Sequence, residues 1–310
     1  MRERDNRAMT GGQQAIEDFI AGGAHRFARP VDPGACETLL ADIRADRSFG
    51  ADLFLSEAEF DADPQYRGVN PRPGRNLLDR FADRLGFVEQ DPQIVEGLSA
   101  VLGEGYRLLD RKIVCGVPAS AIPAWLKARI AGNPVNNLGA YVKPPYRDVT
   151  YFYGIDFHQD LIDFKGREAD FVTLYVYLAP VGPADAPLFL LEGSHRLGAS
   201  VFPHALERQD ADHWRYRSGD QAVDCRQTLL LGDAGTVAMW HACTLHGTQP
   251  DEADHERISL RYLFERTPGA SAGMDAINAS LLGPLNLDDT RVDLDAEGAA
   301  QIKANSVNQA

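Results

Sequence analysis

Apolar positions along the chain change their period about a third of the way through. Up to residue 104 they recur at helical spacing. Asp32-Pro33 supplies an N-cap and a first-turn proline, and Cys36, Leu39, Leu40 and Ile43 then fall on one face. Asp91-Pro92 repeats that signal before Ile94, Val95, Leu98 and Val101. Between them RGVNPRPGRN, rich in Pro and Gly, reads as a loop. A further short helix is predicted over 119–131, where Ile122, Trp125, Leu126 and Ile130 share a face.

From about residue 105 the pattern shortens to apolar and β-branched runs punctuated by Gly, Pro and Asp. They are YRLLDRKIVCGV, LGAYV, VTYFYGIDFHQD, DFVTLYVYLAPV, APLFLLEGS, QTLLLG, GTVAMW and RISLRYLFE. Strands at such short intervals predict an all-β sandwich or barrel. No βαβ alternation and no phosphate-binding glycine loop follows any of them, which argues against a nucleotide-binding parallel sheet. The expected architecture is mainly β, a jelly roll with flanking helices, in one domain over 1–310. Helical support occupies 1–104, the jelly-roll core 105–265, and a polar, Asp-rich tail with a short helix 266–310.

Composition narrows the function. At 44% hydrophobic and 25% charged residues the chain is that of a soluble globular protein. Its net charge of −14 repels phosphate backbones and anionic membrane surfaces, so neither nucleic acid nor membrane is an expected partner. Cys36, Cys115, Cys225 and Cys243 lie far apart with no CxxC pair, and read as reduced, mostly buried thiols. The N-terminal MRERDNRAMTGGQQ lacks the apolar run of a signal peptide; its MTGGQQ resembles part of an expression tag and carries no functional weight. With no stretch of transmembrane length, the expected location is cytoplasmic. Oligomeric state is not readable.

The informative chemistry begins at Gly154-Ile155-Asp156-Phe157-His158-Gln159-Asp160. Residues two apart on a strand share a face, so His158 and Asp160 can offer a nitrogen and an oxygen to one metal ion. Alone, such a triplet is better explained by a solvent-facing strand pair. A second histidine, His246, sits 88 residues later in Thr244-Leu245-His246-Gly247-Thr248. Two histidines and a carboxylate on one face of an octahedral ion leave three positions open, enough for a bidentate 2-oxo acid and dioxygen. The far carboxylate of such an acid needs a buried cation. Arg257 can supply one bidentately, and Ser259, two residues on, can add a hydroxyl.

The His-Gln-Asp triplet, the segment Pro-Leu-Phe-Leu-Leu-Glu-Gly-Ser-His at 187–195, and His246 followed eleven residues later by Arg257 together resemble the phytanoyl-CoA dioxygenase family. The likeness covers about residues 105–265. It implies a double-stranded β-helix and dependence on Fe(II), 2-oxoglutarate and O2. It assigns the metal to His158, Asp160 and His246, and the 2-oxoglutarate carboxylate to Arg257. The reaction it implies couples decarboxylation of 2-oxoglutarate to succinate with oxidation of an unactivated C–H bond. Related halogenases lack the carboxylate ligand, so Asp160 favours hydroxylation.

Rival assignments accompany these. His241 competes with His246, but a supporting role is expected for it; His195 is expected to cap a turn beneath the site. His25, His204, His213 and His255 read as surface or locally hydrogen-bonded residues. Arg261 faces the same way as Arg257 and competes for 2-oxoglutarate or a substrate acid. Thr173, Tyr175 and Tyr177 alternate on one face, and if that face is inward, Thr173 and Tyr175 line the co-substrate pocket. Gln159 has no assigned role. Lys112, Lys143 and Arg147 are candidates for an acidic substrate or for a solvated face. Segments 50–75 and 130–150 are the expected specificity loops, and the substrate is a small molecule left unidentified. The competing functions are a metal-dependent isomerase or hydrolase on a cupin-like barrel, which needs no Arg257, and a ligand-binding jelly roll without catalysis.

Overall fold

The computed structural model describes residues 10–62, 76–270, 272–295 and 300–303. Most of the expected RGVNPRPGRN loop, and part of the 50–75 specificity segment, therefore lies outside the described residues.

Helices α1 (Gly11–Gly22), α2 (Pro33–Asp46), α3 (Glu57–Ala62), α4 (Gly86–Glu89) and α5 (Pro92–Leu102) occupy the N-terminal third. Both Asp-Pro starts cap as expected. Asp32 accepts from the amides of Gly34 and Ala35, and Asp91 from those of Gln93 and Ile94. The tag-like GGQQ is the first turn of α1. Thr10 caps it, and the Gly12 amide donates to Glu96 of α5 at 3.0 Å, so this stretch carries structural weight.

Among the described residues twelve strands follow or interleave: β1 (Ala24–Arg26), β2 (Arg107–Gly116), β3 (Val135–Asn137), β4 (Thr150–His158), β5 (Phe171–Tyr177) and β6 (Leu188–Glu192). Then come β7 (Ala205–Arg208), β8 (His213–Ser218), β9 (Gln221–Leu229), β10 (Val237–His241), β11 (His246–Thr248) and β12 (Arg257–Glu265). Their order is β1-β10-β5-β12-β2-β4-β11-β6-β9-β8-β7, with β3 beside β4. The fold is a jelly-roll double-stranded β-helix. One half, β1-β10-β5-β12-β2, passes into the other through a short parallel pairing of Val114–Gly116 with Thr150–Phe152.

Period-two patterning explains the layers. Val172, Leu174 and Val176 of β5, with Ile258, Leu260 and Tyr262 of β12, join the helices in the largest core. The alternate residues Tyr175, Tyr177, Ala238 and Trp240 face the barrel interior and meet Leu188 and Leu190 of β6. On the far side Phe157, Phe189, Leu191 and Trp214 form a third cluster.

Two predicted elements differ. LGAYV forms a 3-10 turn (Gly139–Tyr141) rather than a strand, since a short apolar run records burial, not period. The predicted 119–131 helix divides at Pro123 into a 3-10 turn and α6 (Ala124–Ile130), because proline cannot continue the preceding turn's hydrogen bonding. The tail is less peripheral than expected. After α7 (Gly273–Ala279), Leu285 and Leu287 accept backbone bonds from Ala169 and Gly166, and Thr290 donates to Ile162. The tail thereby braces the turn that follows Asp160. No helix among the described residues is long and apolar enough to cross a membrane.

Candidate active site

His158 is the last residue of β4, and Asp160 opens a 3-10 turn over Asp160–Asp163. The same-face relation thus operates across a strand end. Gln159 fixes that turn: its amide group donates to the carbonyls of Gly198 (2.7 Å) and Cys243 (2.9 Å), and its Oε1 accepts from the Ser200 amide (3.0 Å). This is the role the sequence left blank.

β11 runs antiparallel to β4 with His246 opposite His158, and their rings lie 4.3 Å apart between centroids. Gly247 is required here. A Cβ would sit 2.4 Å from the Ile155 carbonyl and 2.6 Å from the Phe189 ring, pushing the two histidine strands apart.

Protonation of both imidazoles follows from their partners. His158 Nδ1 is 3.0 Å from the Asp156 carbonyl and His246 Nδ1 is 3.0 Å from the Thr244 carbonyl. A carbonyl only accepts, so each Nδ1 carries the proton and each Nε2 keeps its lone pair. Burial, then the neighbouring His246, pushes His158 down to about 3, and burial also lowers His246. Both rings are neutral, the form that binds a cation.

Asp160 is buried, which alone would raise its pKa. The Arg261 guanidinium, with the Thr173 hydroxyl, holds it well below the usual carboxylate range. Arg261 pairs with one carboxylate oxygen; the other accepts from Thr173 Oγ1 and, at 2.9 Å, from Trp240 Nε1. That second oxygen lies 3.7 Å from His246 Nε2. Three strands of the opposite half (β5, β10, β12) therefore orient the one carboxylate of the triad.

The three side chains line a cavity of about 80 Å³ that also receives Tyr175, Trp240, Arg257 and Arg261. Arg257 is 4% exposed, yet its Nε and Nη1 have no hydrogen-bond partner, and neither do the Tyr175 hydroxyl and Ser259 Oγ. Gly116 stands opposite Arg257 and leaves it room: a Cβ there would be 3.2 Å from Nε. A buried cation with nitrogens unpaired, beside spare hydroxyl donors, fits an incoming carboxylate. Two imidazole lone pairs and a carboxylate fit a divalent iron with positions left open.

The structure brings His158, Asp160, His246, Arg257 and Tyr175 to one cavity. Thr173 does not line it and instead bonds Asp160; Ser259 is buried between strands on the Arg257 face. Tyr177 is absorbed by the backbone, donating to Leu230 and accepting from the Leu188 amide, both at 3.0 Å. Trp240 went unassigned, although the alternation Thr236, Ala238, Trp240 places it on the inward face.

The remaining candidates fall elsewhere. His241 Nε2 meets Asn278 of α7 and its Nδ1 accepts from Cys243, outside the cavity. His195 is buried in the Ser194–Leu197 turn, 6.3 Å from the His241 ring. His25 is buried and bonded to Asp18, and His204 is half-buried and bonded to Ser200; His213 and His255 are exposed. Lys143 and Arg147 donate to backbone carbonyls, whereas Lys112 lines the cavity.

Among the described residues Asp210, Asp212 and His213 also bring ligand atoms together. Asp210 there accepts from the Asp212 and His213 amides, which makes it the staple of an exposed turn. A larger cavity of about 410 Å³ touches Arg129, Asn136, Tyr141 and Lys303. Its Arg129 is paired with Asp61 and its Lys303 with Asn133, so the chemistry belongs to the smaller space.

The model of the phytanoyl-CoA dioxygenase (PhyH) family matches residues 22–259. Over 187 residues the chain is 27% identical to a probable alpha-ketoglutarate-dependent hypophosphite dioxygenase from Stutzerimonas stutzeri. That match covers 59% of this chain and 52% of the relative, so the chain spans about half of the curated relative's length. Among solved structures it is similar to SnoN, a non-haem alpha-ketoglutarate-dependent epimerase of nogalamycin biosynthesis. That likeness has 16% identity, coverage of 89% and 93% of the two chains, and a TM-score of 0.49. It is also similar to EvdO2 from Micromonospora carbonacea var. aurantiaca complexed with 2-oxoglutarate, at 15% identity, 86% and 94% coverage and a TM-score of 0.46. The chain belongs to the phytanoyl-CoA dioxygenase family, which depends on non-haem iron(II), 2-oxoglutarate and dioxygen.

Proposed function

We propose that this chain is a 2-oxoglutarate-dependent oxygenase that hydroxylates a small or mid-sized metabolite and releases succinate and CO2. The observation that carries this reading is the convergence of two neutral imidazoles and Asp160 beside a buried Arg257 whose Nε and Nη1 lack partners. His158, Asp160 and His246 are assigned to the iron, and Arg257 with Tyr175 and Ser259 to the far carboxylate of 2-oxoglutarate. Bound iron with 2-oxoglutarate and dioxygen supplies the oxidising power for C–H cleavage.

The chain's own residues do the rest. The Nδ1 bonds to Asp156 and Thr244 aim both Nε2 atoms inward. Thr173, Trp240 and Arg261 keep Asp160 ionised and fixed, leaving no vacant ligand position for a halide, which favours hydroxylation. Ile155 and Leu188 provide an apolar wall that limits water around the reacting groups. The helical layer and the jelly roll act as one domain on this reading. Four free, buried cysteines agree with a reducing, cytoplasmic setting.

The test is turnover of 2-oxoglutarate under ¹⁸O2 with a metabolite panel. Iron-dependent succinate release and a product carrying one ¹⁸O are expected. A folded, iron-loaded protein that forms no succinate, or an oxidised product without ¹⁸O, would refute the assignment.

A further inference from the structure

Arg257 is taken by the 2-oxoglutarate assignment, and among the remaining cations near the site Lys112 stands apart. It lines the cavity with His158 and Asp160, and its ammonium makes no hydrogen bond or ion pair among the described residues. Arg261 is committed to Asp160, and Lys143 and Arg147 to backbone carbonyls. Asp110 and Asp163 attract Lys112 only from beyond ion-pair distance.

Its position is also costly. The β12–β2 register puts Lys112 directly opposite Arg261, two like charges on one inward face. Such cross-strand pairs destabilise a sheet unless an anion intervenes. Asp160 pairs directly with Arg261, whereas Lys112 feels Asp110, Asp163 and Asp160 only at a distance and has no ion-pair partner among the described residues. The cavity wall holds three cations (Lys112, Arg257, Arg261) against two carboxylates (Asp160, Asp163). Iron(II) with a 2-oxoglutarate dianion adds no net charge, so one positive charge stays in excess.

The same register separates Lys112 from the co-substrate. Arg257 faces Gly116 and Arg261 faces Lys112, four residues along. At the rise of an extended strand this is ~13 Å, roughly twice the span between the carboxylates of a five-carbon diacid. A 2-oxoglutarate seated on Arg257 therefore leaves Lys112 at the other end of the cavity.

We propose that Lys112 is a specificity residue that binds an anionic group of the primary substrate, so that the enzyme oxidises a small molecule bearing a carboxylate or a phosphorus oxyanion. This rests on the iron and 2-oxoglutarate reading above.

The test uses the protein loaded anaerobically with Fe(II) and 2-oxoglutarate, and follows its visible charge-transfer band. Hypophosphite, methylphosphonate and propionate are added, with propionamide as the uncharged counterpart of propionate. At least one anion is expected to shift the band, while propionamide does not. In Lys112→Met the apparent affinity for that anion should fall 30-fold or more, with 2-oxoglutarate affinity kept within threefold. Lys112→Arg should restore most of the anion response, and Lys143→Met should leave it unchanged. No response to any of the anions, an equal response to propionamide, or an anion response retained in Lys112→Met would overturn the proposal. A fall in 2-oxoglutarate affinity with the anion response intact would also overturn it, by moving Lys112 to the co-substrate. Absence of the band itself in the native protein would instead sink the underlying iron reading.

Discussion

Replacing Arg257 by Met should separate binding from stability, because the guanidinium is built for a partner the chain does not supply. In the ligand-free protein Arg257 is buried with Nε and Nη1 unpaired, and each unsatisfied polar group of this kind costs about 1–3 kcal/mol. Met fills similar space and carries no such cost, so the variant's unfolding free energy should stay level or rise. Binding should move the other way. Removing one partner of a buried, hydrogen-bonded charge pair costs about 2–5 kcal/mol, which weakens 2-oxoglutarate roughly 30- to 5,000-fold. Arg257→Lys keeps the charge but loses the planar fork, and should fall between. Anaerobic 2-oxoglutarate titration of the iron-loaded protein reads the first quantity and urea denaturation of the ligand-free protein the second. Native-like 2-oxoglutarate affinity in Arg257→Met, or a loss of several kcal/mol in its ligand-free stability, would refute this reasoning.

Other perturbations test the surroundings. Asp160→Ala strands the largely buried Arg261 and should cost about 3–5 kcal/mol in the ligand-free protein, whereas Trp240→Phe should weaken iron 10- to 100-fold in a chelator competition; unchanged values would remove these residues from the carboxylate's support. Gly247→Ala forces its Cβ onto the Ile155 carbonyl and the Phe189 ring and should destabilise by about 1–3 kcal/mol, with native stability in denaturant the contrary result. Burial raises Asp251 to about 6, and one of its oxygens has no partner. Its charged form is penalised in the folded state, so native stability declines as pH rises from about 4 to about 6. Asp251→Asn should then be more stable by up to about 3 kcal/mol at pH 7, with no difference below pH 4; a pH-independent difference would contradict that origin.

Much of the site was legible because its chemistry is short-range in sequence. His158 and Asp160 are two apart, and Arg257 follows His246 within one turn-and-strand unit, so their spacing together with the family resemblance singled them out as candidates. Asp-Pro starts located α2 and α5 because capping is a local matter of hydrogen bonding. What escaped depends on partners distant in the chain. Thr173 was expected in the co-substrate pocket, but Asp160 reaches across from the other half of the barrel and takes its hydroxyl. Gln159 ties together Gly198, Ser200 and Cys243, a junction no strand period encodes. The β7–β8 hairpin, ALER and HWRYRS, is too charged to show the apolar alternation of a buried strand, as it lies at the open edge of the sheet.

The central claim is that His158, Asp160 and His246 hold iron(II) so that 2-oxoglutarate chelates it. Anaerobic addition of Fe(II) and then 2-oxoglutarate to the native chain and to His158→Ala tests it most directly. A weak visible charge-transfer band is expected that appears only in the native protein and requires both additions. No band in a folded native protein, or an equal band in His158→Ala, would contradict it.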